Sequence, residues 1–177
     1  MKVKVTPSKV HGNVKIPASK SMAHRALICA SLSDGTSLVS NVTNSKDIEA
    51  TVGCMKALGA IIKQIDETTY EVTGTNLFKQ EGNITCNANE SGSTLRFLIP
   101  LAACTNAKVK FLGQGRLLQR PMDVYANEFK KQNIEFNQSD KEIIVSGNLQ
   151  AKDYVVQGDI SSQFITGFMF VLPLLNQ

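Results

Sequence analysis

Apolar side chains recur along this chain in two periods, every second residue in short segments and every third or fourth residue in longer ones. The longer period predicts five helices, at residues 22–32, 47–58, 94–104, 121–133 and 164–175. The helices at 22–32, 94–104 and 164–175 are apolar on nearly every side, so we expect them to lie inside a domain. The other two carry more polar residues and should be partly exposed.

Short strand-like segments separate these helices, and their order repeats. Residues 70–74 and 143–147 both resemble strands that end on a glycine. Each apolar helix begins with a polar triplet, called an opener here, and each opener follows a short extended segment. The extended segments lie at residues 14–16, 83–86 and 154–156, and the openers are Ser19-Lys20-Ser21, Ser91-Gly92-Ser93 and Ser161-Ser162-Gln163.

The repeated order predicts an α/β (α+β) fold built from βαβαββ units, with buried helices and outer sheets. We expect units at about residues 15–78, 79–150 and 151–177, the third truncated after its first helix, and an opening strand within residues 1–14. Chance similarity of short strand-and-turn patterns is the alternative, but three kinds of feature recur in the same order.

Composition narrows the classes of function. The chain has 177 residues, of which 42% are hydrophobic, so a full core can form. The net charge of +4 comes from scattered basic residues and only 6% of residues are aromatic, which disfavours nucleic-acid binding. No apolar run approaches the roughly 20 residues of a membrane span, and the start does not resemble a signal peptide. A cytoplasmic protein is expected.

The four cysteines form no CxxC pair and lie far from both histidines in sequence. We therefore expect free thiols and no metal site. Cys29 and Cys104 lie in apolar runs and are predicted to be small core residues.

The openers are candidate anion sites. The first turn of a helix has unpaired backbone N–H groups and a partial positive charge of roughly +0.5. Gly92 allows a ligand to approach the backbone, and the hydroxyls of Ser21, Ser161 and Ser162 add donors. Serine at any one helix start is more often an ordinary N-cap. Because the three openers are related by one repeat, we expect the symmetry of the fold to bring them together. This favours a shared anion site.

Cations accompany the openers. Lys20 lies inside the first opener, Arg25 is one helical turn further on, and Arg120 precedes the helix at 121–133. Arginine binds carboxylate or phosphate through two parallel hydrogen bonds, so Arg25 and Arg120 are the favoured candidates. Arg96 could equally form a buried structural ion pair, and Arg116 is more simply a surface charge. A structural role is favoured for His24.

Four segments together resemble the 5-enolpyruvylshikimate-3-phosphate synthase family. Residues 17–27 match the pattern P-x-S-K-S-x-x-x-R-A-L, and residues 91–96 resemble the family's G-T-x-x-R type motif. Residues 117–121 resemble its R-P-containing loop, and residues 161–166 its S-S-Q-F-x-T motif. The resemblance covers nearly the whole chain, whereas the family's chain is more than twice as long.

The resemblance implies a transferase that uses neither metal nor organic cofactor. It moves the enolpyruvyl (carboxyvinyl) group of phosphoenolpyruvate onto the 5-hydroxyl of shikimate 3-phosphate, in the shikimate pathway to aromatic amino acids. The implied fold is an inside-out barrel in two domains, with residues 1–14 in the other domain and residues 15–177 forming an incomplete substrate-binding domain. The family's acid and base carboxylates lie beyond residue 177, so this piece alone is expected to be inactive. A monomer is expected.

The family pattern also implies roles for the opener residues. Lys20 is the implied catalytic residue and contacts both substrates. The residues implied to bind shikimate 3-phosphate are Lys20, Ser21, Arg25, Ser161, Ser162 and Gln163. Those implied to bind phosphoenolpyruvate are Lys20, Gly92, Arg120 and Gln163. One departure is Glu90, which stands where the family usually has Asn and would repel an anion unless protonated or turned away.

Two other functions stay open at this stage. UDP-N-acetylglucosamine enolpyruvyl transferase shares the fold, but its first motif reads K-N where this chain has Lys20-Ser21, and its cysteine beside a Pro-Gly pair is absent. A non-catalytic module that binds phosphorylated metabolites would use the same openers without turnover.

Overall fold

The computed structural model of the protein describes residues 2–9, 11–14 and 16–175. In this part of the chain there are five α-helices and seven strands. The helices are α1 (Lys20–Leu32), α2 (Lys46–Ala57), α3 (Gly92–Ala102), α4 (Asp123–Lys130) and α5 (Ser162–Val171). The strands are β1 (Thr36–Val39), β2 (Ile61–Gln64), β3 (Tyr70–Thr73), β4 (Glu81–Asn87), β5 (Asn106–Leu112), β6 (Glu135–Gln138) and β7 (Ile143–Ser146).

The strands form two sheets with related topology. The first has the order β1-β3-β2 and is antiparallel throughout. The second has the order β4-β5-β7-β6, in which β4 and β5 are parallel and the other pairs antiparallel. The order β1-β3-β2 is repeated as β5-β7-β6, so the second unit is a complete βαβαββ unit and the first has the same order without its first strand. The α/β class and the internal repeat are therefore confirmed.

Local sequence signals explain where the helices begin and end. Ser45 caps α2 by accepting a hydrogen bond from the Ile48 amide, and the acidic Asp47 and Glu49 lie in the first turn. Gly59 follows the end of α2 with a φ of +99°, a left-handed conformation that favours glycine. The predicted bounds of this helix, 47–58, differ from the observed ones by one residue at each end.

The core is centred on α3. Its residues from Thr94 to Ala102 are buried except for Arg96, because α3 packs against α2, α5, β5 and β7. The prediction for the other two apolar helices was only partly right. Met22 on α1 and Met169 on α5 are exposed, since in the described part of the chain these helices pack on one side only. No helix of the described residues has the length and apolar character needed to cross a bilayer.

Three extended segments do not form strands as predicted. Residues 2–9, 11–14 and 16 are exposed and outside any sheet, and residues 1, 10 and 15 of the predicted segments lie outside the described residues. Residues 154–156 also form no strand. A strand is stable only when its backbone groups pair with a neighbour, and no neighbouring strand lies beside these segments within the described residues. Whether residues 1–14 belong to another domain stays a prediction.

The cysteine prediction was right about the thiols and wrong about one position. All four cysteines are free, and Cys54, Cys86 and Cys104 are buried. Cys29, expected in the core, lies on the exposed side of α1. Among the described residues, no three His, Cys, Asp or Glu side chains cluster as metal ligands would.

Candidate functional site

Each opener begins a helix, and its first serine is the N-cap. The Oγ atoms of Ser19, Ser91 and Ser161 accept hydrogen bonds from backbone amides of their own helices, at 3.3, 3.2 and 3.3 Å. The simple capping interpretation is therefore correct for these three serines. The second and third residues of each opener, including Ser21 and Ser162, are left at the helix start beyond the cap.

Gln163 connects the third opener to the second. Its Nε2 donates to the Ser93 Oγ at 2.8 Å, and its Oε1 accepts from the Arg96 Nη1 at 2.8 Å. The Arg96 guanidinium also lies over the face of Phe164, 5.3 Å from the centre of the ring. Arg96 thus pairs with an amide and an aromatic ring, and the ion pair considered from the sequence is not what holds it.

The close approach of α5 to α3 that permits these bonds lies beside Pro100. Proline has no N–H, so the Arg96 carbonyl lacks the usual helical donor four residues on. The Tyr125 hydroxyl donates to this carbonyl at 2.6 Å and also lies 3.2 Å from the Phe164 carbonyl. Gly167 faces the same point, where a Cβ would overlap the Tyr125 hydroxyl and lie 2.8 Å from the Arg96 carbonyl oxygen. The absence of a side chain at Gly167 therefore lets the two helices meet.

Two guanidinium groups meet at the start of α3. A Cβ added to Gly92 would overlap the Arg120 Nη1 and lie 3.5 Å from the Arg96 Nη1. Burial, together with the nearby charge of Arg120, lowers the pKa of Arg96. Two cations held together at the positive end of a helix attract an anion, because a bound negative charge would relieve their mutual repulsion.

The first opener and the helical turn that follows it carry two more cations, Lys20 and Arg25. The Lys20 Nζ donates to the Asp47 Oδ2 at 2.6 Å. The Arg25 Nη1 donates to the Ser21 Oγ at 2.5 Å and to the Ser21 carbonyl at 2.9 Å. Its Nη2 reaches the Thr166 Oγ1 at 3.4 Å, which connects α1 to α5.

The three helix starts therefore converge on one region around the start of α3. Gln163 joins α5 to α3, and Arg25 joins α1 to α5. Lys20 is joined to α3 through Asp47, whose backbone carbonyl lies 3.3 Å from the Thr94 Oγ1. A shared anion site requires Lys20, Arg120 and Gln163 to lie near one another. All three lie near the start of α3.

The two residues of uncertain role lie at the edge of this region. Glu90 is turned toward the Gly113–Gly115 turn, where a Cβ on Gly115 would lie 2.7 Å from its Oε1. Arg116 is exposed and lines the same surface depression as Arg120 and Pro121.

Sequence reasoning missed four residues that build this region. Asp47 was not named as a candidate site residue, although its side chain holds Lys20. Thr94, Thr166 and Tyr125 were not singled out. The threonines lie inside the matched motifs, which was a usable signal, but the partnership of Tyr125 with a proline 25 residues earlier leaves no local signature.

Comparison with known proteins agrees with the motifs. Residues 4–177 match the family described as EPSP synthase (3-phosphoshikimate 1-carboxyvinyltransferase). The 3-phosphoshikimate 1-carboxyvinyltransferase of Clostridium kluyveri is 47% identical over 176 residues, covering 98% of this chain and 41% of that protein. The enzyme of the same name from Clostridioides difficile is 46% identical over 187 residues, covering 98% of this chain and 42% of that protein. The chain thus spans about two fifths of the length of these relatives.

A solved structure supports the fold. EPSP synthase from Acinetobacter baumannii superposes with a TM-score of 0.77 at 19% identity, covering 93% of this chain and 38% of that one. At this level of identity the likeness concerns the fold alone.

Proposed function

Since the chain belongs to the EPSP synthase (3-phosphoshikimate 1-carboxyvinyltransferase) family, we propose that the protein transfers the enolpyruvyl group of phosphoenolpyruvate to the 5-hydroxyl of shikimate 3-phosphate. A bond forms between the 5-hydroxyl oxygen and C2 of the enolpyruvyl group. The bond between that carbon and the phosphate oxygen breaks, and the hydroxyl proton leaves with the phosphate. Both substrates are multiply charged anions, which is the kind of ligand that the converging helix starts favour.

One observation carries this proposal. The starts of α1, α3 and α5 are tied together by Arg25–Thr166, by Gln163 with Ser93 and Arg96, and by Asp47 between Lys20 and Thr94. Each of these connections joins residues from two different motifs. A site assembled from three helix starts can hold two anions side by side, because each start supplies its own unpaired N–H groups.

We assign shikimate 3-phosphate to the α1 and α5 starts. The exposed hydroxyls of Ser21 and Ser162 and the Arg25 guanidinium lie there, and the Ser161 hydroxyl keeps its hydrogen for donation because it only accepts in the cap. The residues proposed for this ligand are Lys20, Ser21, Arg25, Ser161, Ser162 and Gln163.

We assign phosphoenolpyruvate to the α3 start. Gly92 has no side chain to cover the backbone there, and the Arg120 Nη1 lies where a Cβ on Gly92 would stand. Lys20 and Gln163 lie between the two positions and would contact both ligands. The ammonium of Lys20, exposed and paired with only one carboxylate, can stabilise charge that develops between the two substrates.

Turnover also needs a positioned acid and base. In the described region of the site, the nearest carboxylates are Asp47, which is paired with Lys20, and Glu90, which faces the turn at Gly115. We therefore propose that these 177 residues bind shikimate 3-phosphate but do not turn over by themselves. We further propose that the protein acts in the cytoplasm, as a monomer and without a metal or organic cofactor.

The test measures phosphate release by the intact protein, which here means the full-length protein rather than these 177 residues alone. We expect release from phosphoenolpyruvate only when shikimate 3-phosphate is present, and none with UDP-N-acetylglucosamine in its place. Calorimetric titration with shikimate 3-phosphate should show binding that Arg25→Ala abolishes. The control is Lys108→Ala, which also removes one cation but lies on β5, paired with Glu135. Equal loss in both variants, or release with the uridine nucleotide, would contradict the assignment.

A further inference from the structure

A buried line of hydrogen bonds runs from α1 through α2 to the start of α3. The His24 Nδ1 lies 2.7 Å from the Thr51 Oγ1, which lies 2.7 Å from the Thr94 Oγ1. The Thr94 Oγ1 lies 2.7 Å from the Ser91 Oγ and 3.3 Å from the Asp47 carbonyl oxygen. His24, Thr51, Thr94 and Ser91 are all buried. None of these contacts is needed to form any single helix.

The contacts point to one direction for the hydrogens. The Thr94 hydroxyl has a single hydrogen, which donates to the Ser91 Oγ or to the Asp47 carbonyl, and in either case its Oγ1 accepts from Thr51. The Thr51 hydroxyl must then donate to Thr94, and the His24 Nδ1–H must donate to Thr51. His24 is therefore the neutral tautomer with its proton on Nδ1.

The surroundings of His24 keep it neutral. Its side chain is 1% exposed, its Nε2 has no hydrogen-bond partner among the described residues, and its ring meets Phe97 edge to face at 6.3 Å. Its pKa is lowered to about 4, mainly by burial; the charge of Asp47 raises the pKa, and the charges of Lys20 and Arg25 lower it. A second proton would add a third cation beside Lys20 and Arg25.

Thr94 links this line of hydrogen bonds to Lys20. It connects the cap of α3 to the backbone of Asp47, and the Asp47 carboxylate holds the Lys20 ammonium at 2.6 Å. We propose that His24, Thr51 and Thr94 are positioning residues, whose hydrogen-bonded chain sets the distance between Lys20 and the start of α3. This inference rests on the proposed function, since it assigns to these residues the alignment of two ligands that Lys20 and Gly92 would hold.

The decisive variants are Thr51→Val and Thr51→Ser. Valine keeps the shape of threonine but removes the hydroxyl in the middle of the chain, whereas serine keeps the hydroxyl. In the intact protein we expect Thr51→Val to lower kcat/KM for both substrates about tenfold, which is the effect of one misplaced contact. Thr51→Ser should stay within about twofold of the unchanged protein. A Thr51→Val protein that is less heat-stable but has unchanged kcat/KM would overturn the positioning role, because a purely structural hydroxyl predicts that result.

A second measurement does not depend on catalysis. In the ligand-free protein, nitrogen-15 NMR of His24, assigned by its disappearance in His24→Asn, should show a protonated Nδ1 and an unprotonated Nε2. Thr51→Val should shift the amide signals of Gly92, Ser93 and Thr94, and Thr51→Ser should leave them near their original positions. A protonated Nε2, or amide signals that Thr51→Val does not move, would overturn the inference. Absence of turnover in the unchanged protein would instead count against the proposed function alone.

Discussion

Replacing Gly92 with alanine adds one methyl group at the position that tests the assignment of phosphoenolpyruvate most directly. The new Cβ would overlap the Arg120 Nη1, whereas the next atom, the Arg96 Nη1, is 3.5 Å away. The guanidinium is the far end of a flexible side chain, so it can move aside without disturbing the backbone. Gly92 does not have a left-handed φ, so alanine should stabilise the fold by about 0.4–1 kcal/mol through the unfolded chain.

Binding should respond in the opposite direction. A displaced Arg120 loses a charge-assisted hydrogen bond to the bound anion, which is worth about 1.5–3 kcal/mol. At about 1.4 kcal/mol for each factor of ten, the Kd for phosphoenolpyruvate should rise roughly 10- to 150-fold. The Kd for shikimate 3-phosphate should change little, because that ligand is assigned to the starts of α1 and α5.

The assay is calorimetric titration of each ligand separately into the intact protein, so that no turnover occurs, together with urea denaturation. Gly53→Ala is the matched control, because Gly53 also lies in a helix and a Cβ there would meet no atom within 4 Å. It should leave both Kd values unchanged. Unweakened phosphoenolpyruvate binding in Gly92→Ala, or a fold destabilised by more than about 1 kcal/mol, would refute the reasoning.

Three further predictions concern stability and turnover. Tyr125→Phe leaves the Arg96 carbonyl without a donor and should lower the free energy of unfolding by about 1–3 kcal/mol in urea denaturation; an unchanged midpoint would contradict this. The pKa of His24 is about 4 in the folded protein, below its ordinary value of 6.5, because the side chain is buried. The unfolded chain therefore binds more protons between these values, and the free energy of unfolding should fall by up to about 3 kcal/mol as the pH drops from 6.5 to 4. The fall should be smaller in His24→Asn, and an equal fall in both proteins would count against it. Lys20→Met should reduce turnover at least about a hundredfold while changing stability by less than about 1 kcal/mol, because the ion pair of Lys20 is exposed; phosphate release and thermal unfolding would check both parts.

The repeat and most element bounds could be predicted from the sequence because they depend on local chemistry. Serine caps, first-turn acids and closing glycines act within one turn of the helix they define, and α2 illustrates this. The segments at 2–9 and 154–156 show the limit of such reasoning. Their composition suits a strand, but pairing depends on a neighbour that the local pattern does not contain.

The openers could be predicted for the same reason, whereas the contacts that join them could not. Each opener has two serines at a helix start, accompanied by Lys20, Gly92 or Gln163. The hydrogen bonds that join the three helices pair residues up to 141 positions apart, as in Arg25 with Thr166. Pro100 shows why such contacts escape sequence reasoning, since its effect is to free a carbonyl that a tyrosine on another helix then satisfies.

The central claim is that three helix starts bind one pair of anions in a common region. Crystal structures of the intact protein with shikimate 3-phosphate and, separately, with phosphoenolpyruvate bound measure this directly. We predict donors from Arg25 and Ser162 within about 3.2 Å of the first ligand, and donors from Arg120 and the Gly92 backbone within about 3.2 Å of the second. Either ligand bound away from these helix starts, or held by one start alone, would contradict the claim.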